Sequence, residues 1–349
     1  MYVSLSSDSI VETDKSQQGW ESSKAKKYFE KQRAKADKAD DRDQNHFFHM
    51  MCKLGSELQQ DTQALTPRLT RAEPLQVLDI CMAPGGYTAS VLAITPGAKA
   101  CGLSLPEELG GHKLHLKPGL AKVEYLDVTM LIAEYSDSPV PPAYPRPELF
   151  SSRRPFLHSK FDLIFCDGQV LRTHEPYREK YREIYEPLRL KASQLILALQ
   201  RIHNGGNLIV LLHEVDEWRS VELLYQLSKF SDVALWKSKN HHQLRSSFYV
   251  IAKHVKVDSQ AAKDTLQTWR KAWWQSTFGG DDGTGENPVW AEEGYVTDVL
   301  NQFGDDLVEM GRPIWAIQRE ALIKAPWKKK KRKCSEKAKE ENLGGHVTV

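Results

Sequence analysis

LQVLDICMAPGGYTASVLAI, residues 75–94, decides the fold. A short apolar run ends at Asp79, passes through a Pro-Gly-Gly turn and continues as a helical stretch, which predicts strand, glycine loop and helix in that order. Three further segments, AKACGLSL (98–105), VEYLDV (123–128) and FDLIFCDG (161–168), are rich in Val, Ile, Leu and Phe with little alternation. Strands of that kind belong to a sheet covered on both faces. Between the last two, the prolines of SPVPPAYPRP (138–147) forbid regular structure and predict a surface loop. Helical spacing returns in YEPLRLKASQLILALQRIH (185–203), Gly205-Gly206 is expected to stop it, and NLIVLLHEV (207–215) is a fifth strand. A helix over 217–230 and strands DVALW (232–236) and SSFYVIAKHV (246–255) complete the unit. Strands alternating with helices imply an α/β fold, a doubly wound Rossmann-like sheet with helices on both faces and an antiparallel pair at its last edge.

Working outward, residues 1–45 form a polar, charged N-terminal arm. Phe47, Phe48, Met51, Leu54 and Leu58 recur at helical spacing and predict an amphipathic helix over 45–65, with Lys53 near its middle. The core unit spans 46–255. Beyond it, 256–323 is a Trp-rich helical extension, six of the nine tryptophans falling after residue 256, interrupted by FGGDDGTGENP (278–288). Tryptophans at helical spacing are expected to be core or docking surface rather than base-stacking platforms. Residues 324–349 are expected to form a basic, disordered tail.

Composition narrows the function classes. At 40% hydrophobic and 27% charged residues, the 349-residue chain has no run approaching the roughly 18 apolar residues of a membrane helix, and a soluble, intracellular protein is expected. Five cysteines without CxxC spacing indicate neither a disulfide framework nor a zinc site, and no metal is expected. The net charge of +2 conceals a basic tail, so the body is acidic and any RNA contact must come from a local patch or from that tail. The six consecutive basic residues Lys328–Lys333 suit a nuclear-localisation signal or a tether to an RNA backbone, placing the protein in the nucleus or the cytoplasm.

The chemistry begins at Ala83-Pro84-Gly85-Gly86. In an open α/β sheet, ligands bind beyond the carboxyl ends of the strands, where glycines let backbone approach them. This loop has neither a GxGxxG fingerprint nor a GxxxxGK[ST] phosphate cradle. A ligand needing close backbone contact but carrying little phosphate charge is therefore expected, S-adenosylmethionine being the commonest candidate, with Asp79 to orient its amino group or pair with the loop amides.

The ordered set DICMAPGGYT (79–88), LDV (126–128), FDLIFCDG (161–168) and GGNLIVL (205–211) resembles the FtsJ-like RNA ribose 2'-O-methyltransferases. GLSLPEELGGH (102–112) is more similar to the cap-modifying branch, while the segment from DLIFCDG to QLILALQRIHNGGNLIV looks like members acting on tRNA and rRNA. The resemblance implies S-adenosylmethionine as cofactor, held by Asp79, Ala83, Pro84, Gly85, Gly86, Tyr87, Thr88, Leu103, Asp127, Val128 and Asp167. Asp127 and Val128 would hold the adenine edge, and Asp167 would stand at the methyl-transfer centre. Where the family carries an acidic residue for the cofactor ribose, this chain has Ser104, with Glu107 three residues later. The family's Lys-Asp-Lys-Glu tetrad matches Lys53 and Asp167, but its third and fourth positions fall on Leu211 and Phe248. Substitutes within reach by sequence are His213, Glu214, Lys237, Lys239, His241 and His242. The resemblance thus implies a divergent RNA 2'-O-methyltransferase, with catalysis through Lys53 and Asp167. The alternative is a catalytically degenerate cofactor-binding protein or partner subunit of the same fold, and a third possibility is a methyltransferase acting on protein or a small molecule. Arg153, Arg154, Arg172, Arg178 and Arg182 are expected to line a basic groove suited to RNA.

Overall fold

The computed structural model describes residues 23–37, 41–68, 73–287 and 291–328. The first half of the arm, Trp290 and the basic run beyond Lys328 lie outside these residues.

Seven strands form one sheet: β1 (Gln76–Ile80), β2 (Lys99–Ser104), β3 (Ala121–Tyr125), β4 (Phe161–Cys166), β5 (Ile202–His213), β6 (Asp232–Trp236) and β7 (Ser247–Val255). Their order is β3-β2-β1-β4-β5-β7-β6. All pairs are parallel up to β5, and β7 runs antiparallel to both β5 and β6. The order of connection reverses between β1 and β4, so the crevice for a ligand opens at their carboxyl ends. Seven longer helices accompany the sheet: α1 (Ser23–Asp37), α2 (Asp41–Thr62), α3 (Gly86–Ile94), α4 (Glu186–Arg201), α5 (Trp218–Ser228), α6 (Gln260–Phe278) and α7 (Glu293–Ile323).

Side chains alternate across each strand, and the two faces build separate cores. Val77, Leu163, Phe165, Ile209 and Ile251 pack under α2 and α3 with Met51, Leu54, Leu58 and Val91. Leu78, Ile80, Ile164, Cys166, Val210, Phe248 and Val250 face the other way, toward α4, α5 and α6. Trp269 and Trp273 of the C-terminal extension join this second core, and Trp274 and Trp315 pack against it. Trp273 is fully buried beside Tyr135, 4.7 Å between ring centres, and its indole N–H donates to the Thr129 carbonyl at 3.3 Å. Trp269 is buried too and donates to Gln226 at 2.8 Å.

Three local expectations need correcting. The helix predicted from residue 45 begins at Asp41, since Asp41 and Asp43 in its first turn favour the positive end of the helix dipole. The third strand stops at Tyr125, because Asp127 accepts the Thr129 amide and caps a one-turn helix, Val128–Met130. Gly205 and Gly206 do not terminate α4. The helix ends at Arg201, and the pair lies inside β5, where Gly205 takes a left-handed φ of 85°. A Cβ on Gly206 would come within 2.9 Å of the Asp162 carbonyl oxygen, so the glycine lets β4 and β5 approach each other.

Candidate functional site

Asp79 is the next-to-last residue of β1, on the face shared with Val77, and only 1% exposed. Thr88, on the first turn of α3, donates its hydroxyl to Asp79 Oδ2 at 2.6 Å. The other oxygen, Oδ1, is buried and has no hydrogen-bond partner. Burial therefore raises the carboxyl to about 6, against the bonds from Thr88. Between strand and helix, the Ala83–Pro84 bond is cis and Gly85 has φ 95°, a conformation that strains any residue with a Cβ. Ala83 is partly exposed and Pro84 buried, and the Pro84 carbonyl accepts the His115 amide at 3.0 Å. Leu103 is buried at the end of β2, and its carbonyl accepts the Met82 amide at 2.8 Å.

Gly86 serves a different purpose from Gly85. A Cβ there would overlap Met51 and come within 2.6 Å of the Phe48 carbonyl oxygen. Its missing side chain is a packing requirement of α3 on α2. Tyr87 is likewise turned into the protein: its ring stacks on Phe165 at 5.5 Å and its hydroxyl bonds that of Tyr249 on β7.

Asp167 follows the last residue of β4. Burial first, and then the charge of Asp79, push its carboxyl well above the usual carboxylate range. Two carboxyl groups on neighbouring strands thus oppose each other's ionisation. The turn after Asp167 is fixed by Gln194 of α4, whose amide accepts from the Gly168 N–H at 2.9 Å and donates to the Gly168 carbonyl at 3.1 Å. One turn earlier on the same helix, Lys191 donates to the carbonyl of Leu211 on β5 at 2.7 Å. Burial lowers the Lys191 ammonium to about 8, although Cys166, Asp167 and Cys81 favour its charge.

Asp127 contrasts with this pair. Its Oδ1 accepts the amide and hydroxyl of Thr129, and its Oδ2 accepts from Arg182 at 3.0 Å. Burial acts to raise it, but the Arg182 charge and these bonds prevail and hold it below its ordinary value. Arg182 also pairs with Glu186 at 3.3 Å, and Arg189 bonds Glu186 and the Arg182 carbonyl. Val128, buried beside Asp127, has its carbonyl occupied by the Tyr135 hydroxyl.

The remaining sequence candidates are spread out. Lys53 is exposed on α2. Ser104 is buried at the end of β2, while Glu107 is exposed in a one-turn helix. Leu211 faces the site side of β5 opposite Tyr249. Phe248 is fully buried on the opposite face of the sheet. Counting from the serine pair lands one residue off, and one residue reverses the side-chain direction; Ser247 and Tyr249 face the site instead. Lys237 donates to the carbonyls of His242, Arg245 and Ser247 and so closes the loop before β7. Ser238 and Asn240 of that loop bond Glu57 of α2. Burial lowers both His213 and His242 to about 4.

Of the arginines expected to line a basic groove, Arg153 and Arg154 stay exposed while the side chains of Arg178 and Arg182 are largely buried. Arg153 pairs with Glu124, Arg154 with Glu134, Arg178 with Glu183, and Arg182 with Asp127 and Glu186. The Arg178 and Arg182 side chains are only 9% and 6% exposed. Lys191 and Gln194 were missed by sequence reasoning. Their signal was a lysine and a glutamine three residues apart, on one face of the helical stretch leading to the fifth strand.

Among the described residues, no group of three or more His, Cys, Asp or Glu could hold a metal ion, and no helix is long and apolar enough to cross a membrane. A model of the family described as FtsJ-like methyltransferase matches residues 53–255. No curated protein matches the sequence. Among solved structures, a Plasmodium falciparum protein described as a ribosomal RNA methyltransferase is similar at 18% identity and a TM-score of 0.38, over 58% of this chain and 96% of its own. An O-methyltransferase family protein from Burkholderia thailandensis is similar at 14% identity and a TM-score of 0.34, over 64% of this chain and 63% of its own. An rRNA methylase from Streptococcus thermophilus is similar at 13% identity and a TM-score of 0.30, over 52% and 88% respectively. Likenesses this remote leave the assignment to the family match.

Proposed function

The chain belongs to the FtsJ-like methyltransferases, and from that premise we propose that it transfers a methyl group from S-adenosylmethionine to a ribose 2'-hydroxyl of RNA. One observation carries the cofactor reading: Asp79 holds an unpartnered, buried carboxylate oxygen at the sheet's switch point, beside a loop whose Gly85 has a left-handed φ. A buried oxygen without a donor costs about 1–3 kcal/mol, and a ligand carrying N–H groups would relieve it. Asp79, Ala83, Pro84, Gly85 and Leu103 would hold the cofactor, and Ser104 offers a hydroxyl where ribose would lie. Asp127 is occupied by Arg182, so the adenine edge would rely on backbone groups near Val128 or on displacement of Arg182. When bound, the cofactor supplies an electrophilic sulfonium methyl. Asp167, next to Asp79 and raised for the same reason, is the group that meets the acceptor hydroxyl.

The alternative, a cofactor-binding protein or partner subunit, is favoured by apolar Leu211 on β5 and by the engaged Asp127 carboxylate. Calorimetry with S-adenosylmethionine, followed by transfer of labelled methyl to total RNA and nucleoside analysis, separates the two. Micromolar binding with label in 2'-O-methylnucleosides is the expected outcome. Binding without transfer would favour the cofactor-binding alternative, and no binding at millimolar cofactor would end the methyltransferase reading and leave a partner subunit with a retired site. The run 328–333 supports a nuclear location, and a tagged chain truncated at 323 is expected to leave the nucleus.

A further inference from the structure

Lys191 lies on α4, away from every motif that identified the site, yet its ammonium sits on the Leu211 carbonyl at 2.7 Å. The strand register gives this position its meaning. Cys166 of β4 pairs with Val210 of β5, so the next residues, Asp167 and Leu211, stand side by side where the strands leave the sheet. Adjacent strands are about 4.8 Å apart. Lys191 and Gln194 are three residues apart on α4 and so share one face of the helix. Gln194 clamps Gly168 through two hydrogen bonds while Lys191 reaches Leu211. One helix face is thereby fixed against the carboxyl ends of both strands.

We propose that α4 supplies the amine of the methyl-transfer centre, with Lys191 accepting the proton of the substrate hydroxyl beside Asp167. This rests on the methyltransferase function proposed above and adds a catalytic residue to it. The hydroxyl gives its proton to the neutral Lys191 nitrogen, forming the ammonium. The oxygen's electron pair forms the new bond to the methyl carbon, whose old bonding pair stays with sulfur as a neutral thioether. One positive charge thus moves from sulfur to nitrogen and nothing else is consumed. The Leu211 carbonyl receives the ammonium that results.

The neighbouring thiols, phenols and histidine are poorer acceptors. The thiols of Cys81 and Cys166 and the hydroxyls of Tyr87 and Tyr249 are all pushed upward by burial and stay protonated. His213, at the end of β5, faces the charges of Lys191, Arg245 and Lys237, and after burial these bring it to about 4, far below the working pH at which a general base is most effective. Lys191 faces Cys166, Asp167, Cys81 and His213. Its value of about 8, from burial against the favourable acids, leaves part of the amine neutral near pH 7.

The test uses the full chain and four proteins: wild type, Lys191→Arg, Lys191→Met and Asp167→Asn. Side-chain NMR of lysines, with the Lys191 signal identified by its loss in Lys191→Met, is expected to show titration near 8 instead of the ordinary ~10.4. In Asp167→Asn that midpoint is expected to fall further, because a favourable negative charge is gone. Lys191→Arg keeps a cation at the carbonyl and is expected to stay folded and bind cofactor while losing transfer at least about a hundredfold. The wild-type rate should climb about tenfold per pH unit below 8 and level off above it. A Lys191 signal titrating with the surface lysines, or wild-type transfer by Lys191→Arg, would overturn the proposal. A wild type that methylates no RNA would remove the RNA substrate, while the titration would still decide the Lys191–Asp167 pair.

Discussion

Two acidic regions sit at the carboxyl edge of the same sheet and are built in opposite ways. At the end of β3, Asp127 has each oxygen engaged, one by Thr129 and one by Arg182, and it is held below the usual carboxylate range. At the ends of β1 and β4, Asp79 and Asp167 receive one side-chain donor between them, from Thr88, and both are raised. The Arg182–Glu186–Arg189 network pairs each acid with a cation and ties the segment before α4 to the sheet, although Arg182 Nε and Arg189 Nε and Nη1 are left without partners. The Asp79–Asp167 pair is an open set with an oxygen left over. A fold tolerates uncompensated buried acids where a ligand completes them, and the contrast separates the scaffold from the site more sharply than burial alone.

The comparison can be broken from either side. Asp167→Ala is expected to lower methyl transfer by about 10²–10⁴-fold without lowering the thermal midpoint at neutral pH, since it removes a buried carboxyl raised on folding; retained turnover would remove Asp167 from the mechanism. Arg182→Met should cost the fold about 3–5 kcal/mol in denaturant titrations, because it leaves Asp127 and Glu186 buried without their shared cation. A cost under about 1 kcal/mol would mean that the network is not structural. Asp79→Asn should act in the other direction. The Asp79 carboxyl rises from 3.8 to about 6 on folding, so the folded state holds its proton more tightly and stability declines as pH climbs from 4 to 6, then stays level. At 1.36 kcal/mol per unit, the variant should gain roughly 3 kcal/mol over wild type above pH 6, shrinking to nothing near pH 4, and it should bind cofactor more weakly. A variant less stable than wild type at pH 8 would refute this. Gly85→Ala is the smallest change, about 1–2 kcal/mol of left-handed backbone strain, visible as a lowered thermal midpoint. Gly86→Ala should exceed it, since a Cβ there would overlap Met51 and come within 2.6 Å of the Phe48 carbonyl oxygen on α2, whereas one on Gly85 would meet the Leu114 and Leu116 side chains at 3.1 and 3.2 Å.

Much of the site was legible where a motif is local. The strand-loop-helix of 75–94 puts Asp79, Gly85 and Thr88 within ten residues of one another, and the apolar run 161–166 delivers Asp167 to the adjacent strand end by the same logic. The helices and the strand alternation of the core unit followed from periodicity. Phe248 was misplaced because a one-residue offset in β7 reverses which side of the sheet a side chain meets, and only the pairing of Leu211 with Tyr249 fixes that offset. The five arginines looked like a groove for RNA because a sequence displays charges without their partners. In the fold, Arg153 pairs with Glu124, Arg154 with Glu134, Arg178 with Glu183, and Arg182 with both Asp127 and Glu186.

By itself, the sequence determined the doubly wound sheet, the glycine loop and the two acidic strand ends, because each is specified by side chains close together along the chain. Only the tertiary structure decided which of those acids are satisfied and which are left open, and which lysine stands beside Asp167. Lys191 reaches the site from a helix on the far side of the sheet, and the distance that matters is set by how β4, β5 and α4 pack against one another.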